Sequence, residues 1–222
     1  MKKTFIIIVI TTILSFQLSI CFVNAHGGVV NNVMEKLNCS REDAIYFIGV
    51  VETLINKIQN NISRIASHNT SKRAKNLLVR QTINNYFLSP SSWIQVTSLN
   101  RKSIKTYSID RYLRRLSRLS NQPYTEVELL FVKDYLALGN IYGYEDDEYG
   151  NAYEFNVSMW QIFRGRNGDS IVYADGTLKM FCFIFFKPQG SDAWCLRVKN
   201  VTARETVELS ELEKQLDRII IR

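Results

Sequence analysis

The sequence predicts an α+β fold in which an antiparallel sheet packs on helices. Two observations indicate this class. Between residues 40 and 88, apolar side chains recur at spacings of three and four, which is the period of amphipathic helices. Residues 153–206 read as three long consecutive strands joined by short turns, and strands joined in this way pair antiparallel.

Residues 1–25 are expected to form a secretory signal peptide. Lys2 and Lys3 precede an apolar run over residues 5–23, and Ala25 ends a small-residue cleavage site. An uncleaved membrane anchor is the alternative, because the run is close to the length that spans a bilayer. Cleavage near Ala25 would leave an exported protein, periplasmic or secreted. We divide the rest of the chain into an N-terminal amphipathic helical extension (residues 26–70) and a main domain (residues 71–222).

The charge of the chain is unevenly distributed. The formal net charge of +7 becomes +5 once Lys2 and Lys3 are removed with the signal peptide. Residues 64–118 contain twelve Lys and Arg and one acid, whereas residues 124–154 contain eight acids and one Lys. A surface with separate basic and acidic regions could bind an anionic membrane, a glycan or a second copy of the chain in a homodimer.

The first long helix is expected to begin after Ser40. Serine is a typical N-cap residue, and the acids Glu42 and Asp43 follow it in the first turn. It carries an apolar seam, which needs a partner. We expect the next helix, residues 71–88, to supply that partner within the same chain; an intermolecular coiled coil is the alternative. The seam consists of Ile48, Val51, Ile55, Ile58, Ile62 and Ile65, and its expected partners are Ala74, Leu77, Leu78, Ile83 and Phe87.

A second short helix is predicted around residues 109–119, with one apolar and one basic face. The basic face resembles an ordinary solvated helix surface, but it is also a candidate anion-binding surface. Export makes nucleic acid an unlikely partner, and no aromatic stacking pattern interleaves the arginines. The face comprises Arg111, Arg114, Arg115 and Arg118.

The remaining segments are predicted to be strands and turns. Residues 93–98 form a short strand after Pro90, and residues 100–107 form a polar connection. A strand over residues 124–138 is expected to end at Gly139. Asp175 and Gly176 are expected to form a bulge inside a longer strand.

The later strands continue this arrangement. Residues 180–186 are apolar at both alternating positions, which predicts cover on both faces of the sheet. Another strand begins at Trp194 and is expected to kink at Asn200. Residues 210–218 are expected to form a short terminal helix.

No motif for a cofactor or a metal ion is present. The two histidines are far apart, and the acids at residues 145–148 lack the alternate spacing of calcium ligands. Three cysteines remain after signal cleavage. Cys182 and Cys195 could form a disulfide across neighbouring strands or remain two buried thiols, depending on the register.

Four sequence motifs resemble the nuclear transport factor 2-like superfamily, and most closely its uncharacterised exported bacterial members. They occur in the expected order of a helical pair, a short strand, a further helix and long antiparallel strands. The motifs are Tyr112-Leu113-Arg114-Arg115-Leu116, Gln161-Ile162-Phe163-Arg164-Gly165, Tyr173-Ala174-Asp175-Gly176-Thr177-Leu178-Lys179 and the strand that begins at Trp194.

The resemblance implies a cone-shaped, strongly curved sheet over helices, with room for a small ligand. Enzymes of this superfamily use a buried carboxylate as a base and Tyr or Asp as a donor, and burial raises the pKa of such a carboxylate. The weak catalytic candidates are Asp175, Asp134 and Glu128, with Tyr173, Tyr112 or Tyr153 as donors. The candidate ligand-binding residues are Tyr112, Tyr153, Trp160, Phe163 and Tyr173.

The fold alone does not choose a function. Our first expectation is a non-catalytic exported domain that binds a small ligand or a protein at the cell envelope. The alternatives are a pocket enzyme of isomerase, dehydratase or hydrolase type that uses a buried acid, and an oligomerising assembly protein.

Overall fold

The computed structural model describes residues 27–100, 103–119, 124–146, 150–188, 190–191 and 194–220, except for the side chains of residues 133–136, 144 and 217–220. The proposed signal peptide lies outside these ranges. The described chain forms five helices and six strands. In order they are α1 (Gly27–Leu37), α2 (Arg41–Ala66), α3 (Lys72–Tyr86), β1 (Trp93–Val96), β2 (Lys105–Ser108), α4 (Ile109–Leu119), β3 (Glu126–Asp146), β4 (Gly150–Asn167), β5 (Ser170–Phe186), β6 (Cys195–Glu208) and α5 (Leu209–Ile220).

The strands form one sheet in the order β2-β1-β6-β5-β4-β3. The predicted class, an α+β fold with a curved sheet packed on helices, is confirmed. All neighbours are antiparallel except β1 and β6, which run parallel and are bridged at Ile94 and Val201. Helix α4 connects β2 at one edge of the sheet to β3 at the other edge.

The two faces of the sheet have different partners. On the inner face, side chains such as Phe155 and Phe183 share a large core with α2 and α4. On the outer face, Trp160 and Ile162 pack against Leu212 of α5. Successive residues of a strand point to opposite faces, so each long strand contributes to both cores. The predicted cover on both faces of residues 180–186 is present, since Phe181 and Ile184 are buried in different clusters.

Helix α2 belongs to the central core. Its seam residues Val51, Ile55, Ile58, Ile62 and Ile65 are at most 4% exposed. The partner of the seam is therefore intramolecular, as predicted, and includes the sheet as well as α3. One expected partner was wrong: the side chain of Leu77 is 56% exposed on the far side of α3.

The inner face beneath α2 is filled by aromatic side chains. Phe47 contacts both Phe155 and Phe185, with ring centroids 5.1 and 5.6 Å apart. Phe131 and Phe181 pack edge to face at 5.4 Å. The hollow interior that the resemblance implied is absent from this part of the described protein. Any site on the inner face must lie where polar side chains replace the aromatic ones.

Several elements differ from their sequence-based predictions. Helix α1 was not predicted, although Val30 and Val33 bury it against the same core. The segment expected to be a polar connection contains β2, which pairs with β1. Strand β3 continues past Gly139 through two irregularities in its pairing with β4. These irregularities let one strand bend where the sequence predicted an end.

The predicted bulge at Asp175 and Gly176 is also wrong. Both residues pair regularly with Phe163 and Ile162 of β4. Gly176 is required for a different reason. A Cβ atom at this position would lie 2.5 Å from the Leu212 side chain, so the glycine lets α5 approach the outer face.

The cysteines do not form the disulfide that we considered. Cys182 lies opposite Asn200, whereas Cys195 lies opposite Phe186, so the two are separated along the sheet. Cys39, Cys182 and Cys195 are all free thiols. The predicted kink near Asn200 corresponds to a shift in the pairing of β5 and β6 at that point.

No helix among the described residues is long and apolar enough to cross a bilayer.

Candidate functional site

Four polar side chains follow one another on the inner face of β5. Tyr173, Asp175, Thr177 and Lys179 occupy alternate positions of the strand, so all four point to the same side of the sheet. Asp175, Thr177 and Lys179 are each at most 4% exposed. We call these four residues the polar row. It continues the line of Phe181 and Phe183, which is where the filled aromatic core begins.

Aromatic rings border the Tyr173 end of the polar row. The rings of Phe163 and Tyr173 pack edge to face with centroids 5.8 Å apart, and Tyr124 packs on the other side of Phe163 at 5.7 Å. Gly165 makes room for this cluster, because a Cβ atom there would lie 2.5 Å from the Tyr124 ring.

Every member of the polar row has a hydrogen-bond partner. The Tyr173 hydroxyl donates to Asp175 Oδ2 and accepts from the Leu99 backbone N–H at 3.0 Å. The hydroxyls of Thr177 and Thr206 are 3.1 Å apart. Lys179 Nζ donates to the Gln95 carbonyl oxygen at 2.7 Å. Tyr173 and Lys179 thus connect the sheet to the β1–β2 hairpin, which contains both Gln95 and Leu99.

Gln95 explains why a lysine can be buried here. Strand β1 pairs with β6 only at Ile94, so the next residues lack ladder partners on that side. The Gln95 side chain accepts from the Ala203 backbone N–H at 3.2 Å, and Lys179 supplies a donor for the Gln95 carbonyl. The gap between the two strands is filled by these side-chain hydrogen bonds.

Burial shifts the pKa values of the polar row toward neutral forms. Desolvation lowers the pKa of Lys179 to about 8, although the nearby Asp175 carboxylate acts in the opposite direction. Desolvation likewise raises the pKa of Asp175, against the hydrogen bond from Tyr173 and the charge of Lys179. The pKa of Tyr173 is raised by burial and then by its hydrogen bond to Asp175. Perturbed titratable groups of this kind are frequent at functional sites.

The structure brings together three of the residues that the sequence proposed. Tyr173, Asp175 and Phe163 are neighbours. Tyr153 lies twelve residues before Gly165 on β4, near Trp194, so it belongs to the other end of the strand. Trp160 points to the outer face, away from Phe163. The five proposed ligand-binding residues therefore do not form one site.

The remaining catalytic candidates have other surroundings. Glu128 Oε2 accepts a hydrogen bond from Arg164 at 3.1 Å in a partly exposed ion pair. Tyr112 packs against the core from α4, and burial raises its pKa to about 12. The side chain of Asp134 lies outside the described residues. Asp175 is thus the described candidate that combines deep burial with a tyrosine hydroxyl.

Sequence analysis missed Lys179 and Thr177 as site residues. The signal was present in the motif Tyr173-Ala174-Asp175-Gly176-Thr177-Leu178-Lys179, where polar residues occupy every second position. Such alternation predicts one polar face of a strand, which is usually the solvent face. Only the tertiary structure shows that this polar face points inward.

The proposed anion-binding surface is exposed on α4. The guanidinium carbons of Arg111 and Arg115 lie 5.5 and 5.0 Å from the centre of the Tyr107 ring. Arg114 is instead paired with Asp110 on the same helix at 2.9 Å. Arg111 and Arg115 are exposed, whereas Asp175, Thr177 and Lys179 of the polar row are buried.

Metal binding finds no support in the part of the chain that is described. No three His, Cys, Asp or Glu side chains there come close enough to hold an ion. A shallow hollow over α3 is lined by that helix alone, including Lys72, Arg73, Leu77 and Arg80.

Comparison with known proteins gives structural neighbours only. No family model matches the sequence, and no curated protein matches it. A candidate scytalone dehydratase from Novosphingobium aromaticivorans covers 76% of this chain and 91% of its own, at 9% identity and a TM-score of 0.40. A type 2 hexachlorocyclohexane dehydrochlorinase covers 77% and 93%, at 10% identity and a TM-score of 0.38. The beta subunit of benzoate 1,2-dioxygenase from Burkholderia mallei covers 69% and 86%, at 8% identity and a TM-score of 0.34.

The arrangement of helices and strands agrees with the fold that the family resemblance implied. Apart from the additional helix α1 and strand β2, the described chain has the predicted order: helices, a short strand, the helix that contains Tyr112 and then four long antiparallel strands. The sheet and its inner helices have the arrangement that the resemblance implied. The described chain therefore has an α+β fold with a curved sheet packed on helices, which is the architecture that the resemblance implied.

Proposed function

We propose that this protein is an exported domain that binds a small polar ligand at the polar row. The observation that carries the proposal is the burial of Asp175 and Lys179 on one face of a strand whose continuation is aromatic. Removing two opposite charges from water costs free energy that apolar side chains at the same positions would not cost. A binding role explains why such groups are kept there.

The β1–β2 hairpin is the element that would admit the ligand. Beyond the bridge at Ile94, it is held to the rest of the sheet by the hydrogen bonds of Gln95 and Leu99 described above. A ligand with a hydrogen-bond donor and an acceptor can replace these partners. The aromatic rings of Tyr124 and Phe163 would contact its apolar part.

Ligand-observed NMR against a fragment library tests this proposal. We expect polar fragments to bind the wild type and to lose binding in Asp175→Asn and Lys179→Met. Glu154→Gln is the matched control, because Glu154 is an acid on β4 that is hydrogen-bonded to Lys199 outside the polar row. Fragments that bind all four proteins equally, or none, would contradict the assignment of the site.

A second candidate function is acid–base catalysis. It is favoured by one contact, the hydrogen bond from the Tyr173 hydroxyl to a carboxylate whose pKa is raised by burial. Because its pKa is raised, such a carboxylate is a stronger base than an exposed carboxylate. It can therefore accept a proton from carbon more readily near neutral pH. The measurement is deuterium exchange at acidic C–H positions of a panel of ketones and enones. Exchange that persists unchanged in Asp175→Asn would rule out this role for Asp175.

Export is part of the proposal and has its own test. The N-terminal residue of the protein recovered from the producing cell should be His26, following cleavage after Ala25. Recovery with Met1 at the N-terminus in the membrane fraction would instead support the anchored alternative.

A further inference from the structure

We propose that α4 and the β1–β2 hairpin dock this protein on an anionic phospholipid surface. The first observation is the arrangement of Arg111 and Arg115 around a single ring. Both guanidinium groups lie within 5.5 Å of the centre of the Tyr107 ring, and both side chains are exposed. Among the described residues neither makes an ion pair, in contrast to Arg114. Two like charges are thereby held side by side at the surface.

The geometry of this pair suits a phosphate group. Guanidinium groups form paired hydrogen bonds to phosphate oxygens, and stacking on an aromatic ring orients them before the anion arrives. Tyr107 is held in place because it pairs with Ile94 of β1 and because its strand, which ends at Ser108, leads directly into α4. The Ser108 side chain accepts from the Arg111 backbone N–H at 3.3 Å, which fixes the start of the helix. Lys105, on the same strand, adds a further exposed positive charge.

The second observation is an exposed apolar pair in the same hairpin. Leu99 and Ile104 are 41% and 47% exposed. Lys105, which is exposed, directly follows Ile104 and lies on the same strand as Tyr107, with one residue between Lys105 and Tyr107. Aliphatic side chains flanked by basic ones bind at the boundary between lipid headgroups and acyl chains. A polyanionic glycan or a nucleic acid would gain nothing from exposed Leu and Ile side chains, so the combination favours a lipid surface.

Hydrogen exchange measured by mass spectrometry tests the proposal on the full chain, whether or not the N-terminal segment is cleaved. Vesicles of phosphatidylglycerol and phosphatidylcholine are compared with vesicles of phosphatidylcholine alone. We expect residues 97–118 to be protected on the anionic vesicles only. The protection should weaken as salt concentration rises, because exposed charges are screened.

Two pairs of variants separate a specific surface from general charge. Arg111→Gln with Arg115→Gln should weaken the apparent affinity for anionic vesicles about 25-fold, at roughly a fivefold loss for each basic residue. Lys57→Gln with Arg64→Gln removes the same charge from the exposed side of α2 and should leave the affinity nearly unchanged. Ile104→Asn should also weaken binding, whereas Ile171→Asn, which changes an equally exposed apolar residue of another hairpin, should not.

The same measurements define what would overturn the proposal. Equal protection of residues 97–118 on phosphatidylcholine vesicles would show that binding does not require anionic lipid. Equal losses of vesicle affinity in the Arg111 and Arg115 variant and in the Lys57 and Arg64 variant would show general electrostatic attraction without a specific binding surface. Protection of residues 97–118 by millimolar inorganic phosphate, with none on anionic vesicles, would assign the arginine pair to a free phosphate instead. The hairpin takes part in both proposals, since Leu99 is hydrogen-bonded to Tyr173. The two proposals still fail separately, because vesicle binding is tested with variants of Arg111 and Arg115 and fragment binding with variants of Asp175 and Lys179.

Discussion

Lys179 and Asp175 lie four residues apart on β5, and both are almost excluded from solvent. Each has its pKa shifted by burial toward the neutral form, downward for the lysine and upward for the carboxyl. The Gln95 carbonyl and the Tyr173 hydroxyl offset part of this cost through hydrogen bonds. The polar row is therefore a local source of instability that neighbouring residues reduce.

A prediction about pH follows for Lys179. Its folded-state pKa of about 8 is below the ordinary value of 10.5, so the unfolded chain binds more protons between these values. The free energy of unfolding contributed by this residue should then rise with pH, by roughly 2 kcal/mol between pH 7 and pH 9.5. Urea denaturation of wild type and Lys179→Met at both pH values measures it. The variant should become less stable relative to the wild type at pH 9.5, and a constant difference would contradict the assigned pKa.

Gln59 provides a test of a single hydrogen bond. Its side-chain oxygen accepts from the Phe131 backbone N–H at 2.7 Å, and Phe131 lies on β3, at the edge of the sheet. Gln59→Ala leaves this N–H without its partner and should lower the free energy of unfolding by about 1–3 kcal/mol. Asn60→Ala, at an exposed position of the same helix, is the control and should change it by less than about 0.5 kcal/mol. Similar urea midpoints for the two variants would mean that water replaces Gln59.

At the scale of elements, two glycines differ in how much space surrounds them. Gly176 allows α5 to pack on the outer face, where an added Cβ atom would meet the buried Leu212 side chain at 2.5 Å. Gly49 lies inside α2 with nothing within 4 Å of its missing side chain. The first position requires glycine for close packing, whereas the second has no such requirement.

These positions predict opposite effects of the same substitution. Gly176→Ala should lower the free energy of unfolding by about 1–3 kcal/mol, because the added methyl group overpacks the contact with α5. It should also expose the C-terminal helix to limited proteolysis. Gly49→Ala should raise the free energy of unfolding by about 0.5–1 kcal/mol through helix propensity. Thermal denaturation of both variants decides the matter, and destabilisation by Gly49→Ala would refute this account of α2.

At the scale of the whole molecule, the helices and the sheet share one core. Residues from α1, α2, α3, α4 and the long strands belong to a single buried cluster. The segment that we assigned from sequence as an N-terminal extension thus supplies one side of the main domain.

This shared core predicts the result of making the α2 seam polar. Ile55→Asn or Ile62→Asn places an amide in a fully packed apolar interior, which costs several kcal/mol. We expect loss of the near-ultraviolet circular dichroism signal and of cooperative unfolding. If the seam instead joined two chains, the variants would remain folded and their mass in solution would fall. Analytical ultracentrifugation combined with circular dichroism distinguishes the two results.

The sequence alone determined the fold class, most of the strands and the amphipathic helices, because the spacing of apolar residues indicates which face of each element is buried. It also identified Asp175 and Tyr173, but only through resemblance to a family. The tertiary structure decided which face of β5 points inward, and therefore that Thr177 and Lys179 join these two residues. It likewise separated Trp160 and Tyr153 from them, and it placed α2 in the core. Alternation along a strand specifies two faces but does not say which one the rest of the chain will cover; that depends on where α2 and α5 pack.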